Sequence, residues 1–216
     1  MVVFLPALRS FVRGLGAFPG VRGGFAFRLD GGQGRDFCLG KVEAAVTVGN
    51  ILNGEEIRGL IEKQSLVSGF LDLEKQLTPN GMDFTASTIH AFDGEGAVDF
   101  DNSGRVLPGV REIPGEGTCG WWLLKQGAYR VSTNETVRMP LGLIAFAFPR
   151  SSLLRCGAFT QTGVWDAGFH GRSEFILVVQ NPAGIRIRRN ARLIQLVFAG
   201  INPAGKGYDG IYRQKG

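Results

Sequence analysis

The first clear hydrophobic period in the chain begins just after Ile51. Ile57, Leu60 and Ile61 fall on one face at helical spacing, Asn53 precedes them as an N-cap, and Glu55 and Glu56 occupy the first turn, where the helix dipole favours acids. This predicts a single short amphipathic helix packed on a larger body. Beyond it the helical period disappears. Leu141 to Phe148 is an apolar run bounded by Pro140 and Pro149, and Phe175 to Val179 is another. Asn181-Pro182-Ala183-Gly184 reads as a turn. Ile185 and Ile187 then alternate with Arg186 and Arg188, as in a half-buried strand, and after a second turn near Asn190 the run Leu193 to Phe198 is the next strand. Short strands with turns every 8–12 residues or so predict an all-β barrel or jelly roll. The stretch from Phe92 to Gly120, rich in glycine and acids, predicts hairpins or long loops.

The two ends differ from this body. Residues 1–49 carry Arg9, Arg13, Arg22, Arg28 and Arg35 among many glycines, with Asp30 and Asp36 the only acids before Glu43. That composition suits an organellar transit peptide. It equally suits a poorly ordered arm or an upstream extension, which is the preferred reading. The tail from Asn202 to Gly216 is rich in Gly, Lys and Tyr and lacks a core pattern. The expected division is an extension over 1–49, a β domain over 50–201 and a flexible C-terminal closing segment over 202–216.

Composition narrows the function only a little. At 216 residues the chain can bury a proper core, and no apolar run reaches the roughly 18 residues that cross a bilayer. The formal charge of +5 favours an anionic ligand. No helix-turn-helix, RNA-recognition or zinc-finger pattern points to nucleic acid, so no specific nucleic-acid partner is expected. Cys38, Cys119 and Cys156 are odd in number and lack Cys-x-x-Cys spacing, which disfavours a disulfide scaffold or a zinc site. His90 and His170 are too far apart to suggest a histidine metal site. A reducing cytoplasm is the expected location.

Two segments carry the chemistry. Pro149-Arg150-Ser151-Ser152-Leu153-Leu154-Arg155 clusters guanidinium forks and short hydroxyl donors, the hardware for gripping phosphate oxygens. Its serines could instead make local turns. Gly163-Val164-Trp165-Asp166-Ala167-Gly168-Phe169-His170-Gly171 places one carboxylate in a Gly-rich turn, where backbone can approach a ligand closely. Asp166 could orient and partly deprotonate a water, or cap its own turn. Phe169 could stack on a sugar or base, or pack in the core. Gln195 interrupts the apolar run Leu193 to Phe198; a buried amide needs partners, either backbone groups or a ligand phosphate. Lys206, Tyr208, Tyr212, Arg213 and Lys215 lie among glycines, as in a segment that closes over a bound triphosphate or a frayed terminus. Asp83 and Glu135, each taken alone, say little.

These segments line up with one family. From about Ile51 onward the chain resembles the dUTP diphosphatase and dCTP deaminase superfamily, most closely its archaeal-type branch. Pro149 to Arg155 looks like the phosphate-binding motif, and Gly163 to Gly171 like the hairpin that holds pyrimidine and deoxyribose. Arg192-Leu193-Ile194-Gln195-Leu196 is similar to the strand with the phosphate-binding glutamine, and Gly81-Met82-Asp83-Phe84 to the early Gly-x-Asp-Leu motif. Tyr208-Asp209-Gly210-Ile211-Tyr212 resembles the closing Tyr-x-Gly-Lys-Tyr segment, with Ile211 where lysine is usual. Lys206, Arg213 or Lys215 could replace that charge.

The resemblance implies a distorted β jelly roll in a homotrimer, with active sites at subunit contacts. It implies dUTP as substrate, Mg²⁺ held mainly by the substrate phosphates rather than by protein ligands, and Asp166 as the catalytic residue. Arg150, Ser151, Ser152, Arg155 and Gln195 would hold phosphates. Gly163, Val164, Trp165, Gly168 and Phe169 would shape the nucleoside site, with hairpin main chain on the uracil edge and a backbone wall excluding a 5-methyl group, and Tyr208 would close it. The related deaminase needs a glutamate ten residues after the hairpin aspartate, and that position here is Ile176. Glu174 shares its face if the strand is extended but sits roughly 7 Å away, out of hydrogen-bond reach unless a bulge intervenes. The sequence therefore favours dUTP diphosphatase. dCTP deaminase, alone or combined with the diphosphatase, is the alternative, and a non-catalytic nucleotide sensor is the third.

Overall fold

The computed structural model describes residues 49–117 and 120–212. The arginine-rich extension up to residue 48, Cys38, Cys119, Arg213 and Lys215 lie outside the described residues.

The predicted helix is α1, Gly54–Gln64. Asn53 Oδ1 accepts from the Glu56 N–H at 3.0 Å, and Glu56 Oε2 accepts from the Asn53 N–H at 2.8 Å, a reciprocal capping box. Ile57 and Ile61 are buried on its inner face, each contributing about 1.5–3 kcal/mol of hydrophobic stabilisation. Next come β1 (Val67–Ser68), a one-turn helix α2 (Leu73–Gln76), β2 (Leu77–Thr78) and the long β3 (Gly81–Asp93). The Phe92 to Gly120 region holds one short strand, β4 (Gly109–Glu112), and an isolated bridge between Ala97 and Val106. There follow β5 (Trp121–Leu124), β6 (Gly127–Arg138), β7 (Leu143–Pro149), a second one-turn helix α3 (Ser151–Arg155) and β8 (Ala158–Gln161). The last strands are β9 (His170–Val179), β10 (Ile185–Arg188) and β11 (Arg192–Gly200). A single helix was expected; α2 and α3 are additional. Each is too short for apolar residues to recur at helical spacing, so no period betrays them.

The protein is mostly β, as its patterning predicts. A nine-stranded antiparallel sheet follows the order β7-β11-β3-β6-β9-β8, with β1 on β6 and β2 and β4 on β3, while β10 pairs with β5 separately. β3 serves two neighbours. Its first residues, Met82 to Thr85, pair with β11, and from Ala86 onward it pairs with β6, with a register shift between Ala86 and Thr88. Side chains from both parts share one core that includes Met82, Phe84, Ile89, Trp122, Leu177 and Phe198. Among the described residues no helix is long and apolar enough to cross a membrane.

The β6–β9 pairing carries one irregularity. Ser132 pairs with Glu174 and Thr136 with Arg172, so β6 takes four residue steps where β9 takes two. This bulge gives β6 the extra residues that let Glu135 turn inward. Its carboxylate is buried and accepts from Gln76 Nε2 (2.7 Å), Thr85 Oγ1 (2.6 Å) and the Thr85 N–H (3.0 Å). Burial pushes its pKa up, against the pull of those donors.

Candidate active site

The phosphate-motif residues hang from the end of β7. The Arg150 N–H donates to Leu193 O at 3.0 Å, and buried Leu153 anchors the turn of α3. Ser151, Ser152 and Arg155 are exposed on that turn. Neither serine hydroxyl makes a side-chain hydrogen bond among the described residues, so they are not spent on the local turn. Arg150 itself is oriented from below. Its Nε lies 2.8 Å from Asp83 Oδ2, and Arg192 Nη1 lies 3.3 Å from the same oxygen while also donating to Lys75 O. Asp83 is buried, and its Oδ1 has no hydrogen-bond partner. Burial raises its pKa, and the two guanidinium groups oppose that shift.

Gln195 stands opposite Asp83 in the β11–β3 register. It is half-buried rather than buried, and its amide donates to Thr78 Oγ1 at 2.8 Å, not to backbone. Phosphate-motif arginine, early aspartate and strand glutamine thus form one cluster on adjacent strands.

The hairpin between β8 and β9 is pinned mainly through its backbone. Trp165 and Ala145 exchange N–H···O bonds of 3.0 Å, the Gly168 N–H donates to Met139 O at 3.1 Å, and the Met139 N–H donates to Phe169 O at 2.8 Å. Trp165 is buried and its Nε1 donates to Ser173 Oγ at 2.8 Å. Gly168 adopts φ +82°, and a Cβ there would lie 2.7 Å from Gly207 Cα. Both the left-handed backbone and the passing tail therefore require glycine. The Tyr208 N–H donates to Ala167 O at 2.7 Å, and its ring meets Phe169 edge-on at 5.6 Å. This part of the tail is docked, not frayed. Asp166 is exposed at the turn, and its carboxylate makes no hydrogen bond or ion pair among the described residues.

A cavity of about 770 Å³ opens beside this hairpin. Gly163, Val164, Trp165, Phe169 and Tyr208 line it, as does Tyr212. Its floor is the outer face of β6 and β9, with Arg130, Ser132, Glu174 and Ile176. Asp166 and Gly168 of the hairpin, and Arg150, Ser151, Ser152, Arg155 and Gln195, are absent from its lining among the described residues. Within one chain the predicted site residues are thus divided: four residues of the Gly163–Gly171 hairpin and Tyr208 line the cavity, and those of the Pro149–Arg155 motif and Gln195 do not. A second concavity of about 710 Å³, lined by Gly115, Gly117, Gly120, Arg188 and Arg189, shares no residue with either.

The β9 register runs without interruption through Glu174, Phe175 and Ile176, opposite Ser132, Val131 and Arg130. The bulge is on β6, on the far side of Glu174. Nothing in β9 brings Glu174 to the place of Ile176. Asp83, Arg192, Arg130 and Glu174 were not among the predicted site residues. The first two were visible only inside their motifs, and the cross-strand partners of the last two leave no sequence signal.

Comparison with known proteins bears on this arrangement. The model of the dCTP deaminase-like family matches residues 51–201. A probable deoxyuridine 5'-triphosphate nucleotidohydrolase of Archaeoglobus fulgidus is 48% identical over 163 residues, covering 76% of this chain and 95% of that protein. A probable enzyme of the same name from Methanosarcina mazei is 46% identical over 167 residues, covering 76% and 97%. The deoxyuridine 5'-triphosphate nucleotidohydrolase of Methanocaldococcus jannaschii is 37% identical over 140 residues, covering 65% and 88%. Among solved structures, 2'-deoxycytidine 5'-triphosphate deaminase from Agrobacterium tumefaciens superposes with a TM-score of 0.53 at 21% identity. That match covers 72% of this chain and 49% of the deaminase, a likeness of fold alone.

Proposed function

The chain belongs to the dCTP deaminase-like family, and from that membership we propose that it is a deoxyuridine 5'-triphosphate nucleotidohydrolase, converting dUTP and water to dUMP and diphosphate. The archaeal relatives that bear this name support the reading. The observation that carries it within the chain is the unbroken β9 register, which leaves Ile176, a side chain unable to move a proton, beside the hairpin cavity.

Asp166 is the catalytic residue. Its unpartnered carboxylate is free to accept a proton from water or to bind the deoxyribose hydroxyl, while the pinned backbone fixes its position. The water attacks the α-phosphorus in line with the departing diphosphate, and positioning supplies most of the acceleration. Arg150, Ser151, Ser152, Arg155 and Gln195 hold phosphate oxygens, with Asp83 setting the guanidinium plane of Arg150. Hairpin main chain meets the uracil edge, and Phe169 and Tyr208 pack over the nucleoside. Among the described residues no three His, Cys, Asp or Glu side chains gather as a metal site. The substrate phosphates would hold Mg²⁺, which would supply charge neutralisation to the leaving diphosphate.

The division of the site supports a homotrimer. A phosphate cluster that does not line its own hairpin cavity can serve a neighbour's, and Phe146, Phe148 and Leu154, on and next to the cluster's strand, are exposed in the single chain. The antiparallel sheet, with neighbours out of chain order, supports a distorted jelly roll. Residues 50–201 form the catalytic domain, 202–216 the closing segment and 1–49 an extension outside it. A cytoplasmic location accords with this chemistry.

The alternative, dCTP deamination, has one observation in its favour: Glu174 lines the cavity. Product analysis separates the two. With Mg²⁺ present, dUTP should yield dUMP and dCTP should release no ammonia. Ammonia from dCTP without dUMP from dUTP would overturn the assignment, and ammonia together with dUMP from dUTP would establish the combined activity instead.

A further inference from the structure

The cavity floor carries a polar set that the hydrolytic mechanism does not use. Arg130 of β6 stands directly opposite Ile176 of β9, and further along the same pair of strands Ser132 stands opposite Glu174. All four line the cavity. Ser132 Oγ donates to Glu174 Oε1 at 3.1 Å, and Arg130 Nε lies 3.7 Å from the same oxygen. Arg130 Nε is nonetheless buried without a hydrogen-bond partner, an arrangement that needs an explanation because buried donors are normally satisfied. The terminal nitrogens of Arg130 make no hydrogen bond among the described residues either.

Polarity decides what such a floor selects. Gln161, paired with Ile176 from β8, also lines the cavity. Its amide can turn either its oxygen or its nitrogen to a ligand and so imposes no preference. A guanidinium has donors only. Uracil and cytosine differ at the 4-position, where uracil has an accepting oxygen and cytosine a donating amino group. In the reading above the sugar sits at Asp166, on the hairpin whose Gly163, Val164, Trp165 and Phe169 line the cavity, and a base that enters the cavity with its 4-position inward would meet the floor. The carbonyl oxygen has two lone pairs, so a contact from hairpin main chain and one from Arg130 can coexist. An amino group facing Arg130 sets donor against donor, the kind of mismatch by which sites reject close analogues.

We propose that Arg130 is a specificity-determining residue: it donates to the 4-oxo group of the uracil base and disfavours cytosine, with Glu174 as the positioning residue that balances its charge. This rests on the dUTP reading above.

Arg130→Gln tests it, because an amide can present its oxygen to a 4-amino group. KM for dUTP should rise about tenfold or more with kcat nearly unchanged, while competitive inhibition by dCTP stays equal or strengthens. Arg130→Lys, which keeps a donor-only head, should retain most of the preference, and Glu174→Gln should erode it less than Arg130→Gln. An unchanged KM for dUTP overturns the inference, as does a parallel weakening of dUTP and dCTP, which is what general damage to the sheet would cause. In either case wild-type turnover of dUTP leaves the function itself standing; a wild-type protein inert towards dUTP overturns both.

Discussion

Around Arg150 the charged groups answer one another: Asp83 is wedged between two guanidinium groups and buried beneath them. Around Asp166 the opposite holds. Backbone bonds from Ala145, Met139 and Tyr208 fix the turn, and the carboxylate they carry is left without a partner among the described residues. The first region spends a carboxylate on holding a cation still. The second uses backbone to hold a carboxylate ready. In the proposed reading Asp166 keeps its oxygens open to water while the backbone sets its position, and Arg150, which would only bind phosphate, gains from being pre-set.

The sharpest way to break this contrast is Asp166→Asn. Loss of the proposed base should lower kcat by about 10²–10⁴-fold, with nucleotide binding largely kept and the melting temperature unchanged. An Asn variant that turns over dUTP normally would remove Asp166 from the chemistry. A variant that melts early would make its carboxylate structural after all.

Glu135→Ala should do the reverse, costing stability while leaving the exposed hairpin intact. It strands the buried Thr85 N–H and one donor of Gln76, and each unsatisfied group costs about 1–3 kcal/mol. Denaturant unfolding measures it, and a variant as stable as wild type would show that water replaces the lost oxygens. Asp83→Asn should have a smaller effect on stability, about 1.5–3 kcal/mol for the lost charged hydrogen bonds, because Arg150 and Arg192 are each about one-third exposed and can turn to solvent. Its signature should be a raised KM, since Arg150 no longer has a fixed plane. A change confined to kcat would contradict the pre-setting role.

Much of the fold was legible in the chain. β10 alternates Ile and Arg, so period two marks it; β9 shows instead through the apolar run Phe175 to Val179, and α1 announces itself through its cap. That the Pro149–Arg155 motif does not line the hairpin cavity of its own chain was not legible in residue spacing, because motif order says nothing about which loops end up adjacent; only the family resemblance implied sites at subunit contacts. Nor was the inward turn of Glu135, which depends on a bulge in β6 that leaves no mark in its own hydrophobic pattern. The Arg192–Asp83 contact joins residues 109 apart in sequence, and Ser132 and Glu174 are 42 apart; only the register between strands brings them together.

The smallest expected effect tests the buried side of the comparison. Glu135 and Asp83 both have pKa values raised by burial, in one case against hydrogen-bond donors and in the other against two arginines. A carboxyl whose folded pKa lies above its unfolded value of about 4 binds more protons folded than unfolded in the window between the two. The stability it contributes is therefore fully present below the unfolded pKa and is lost as pH rises through the folded one. Unfolding free energy should decline as pH climbs out of the ordinary carboxylate range, and the decline should flatten in Glu135→Gln, which has no proton to lose. Denaturant midpoints taken from about pH 4 to about pH 8 would follow it. Stability that instead rises over that window, and stops rising in Glu135→Gln, would mean that the donors around Glu135 outweigh its burial and that the bulge in β6 holds a carboxylate ion.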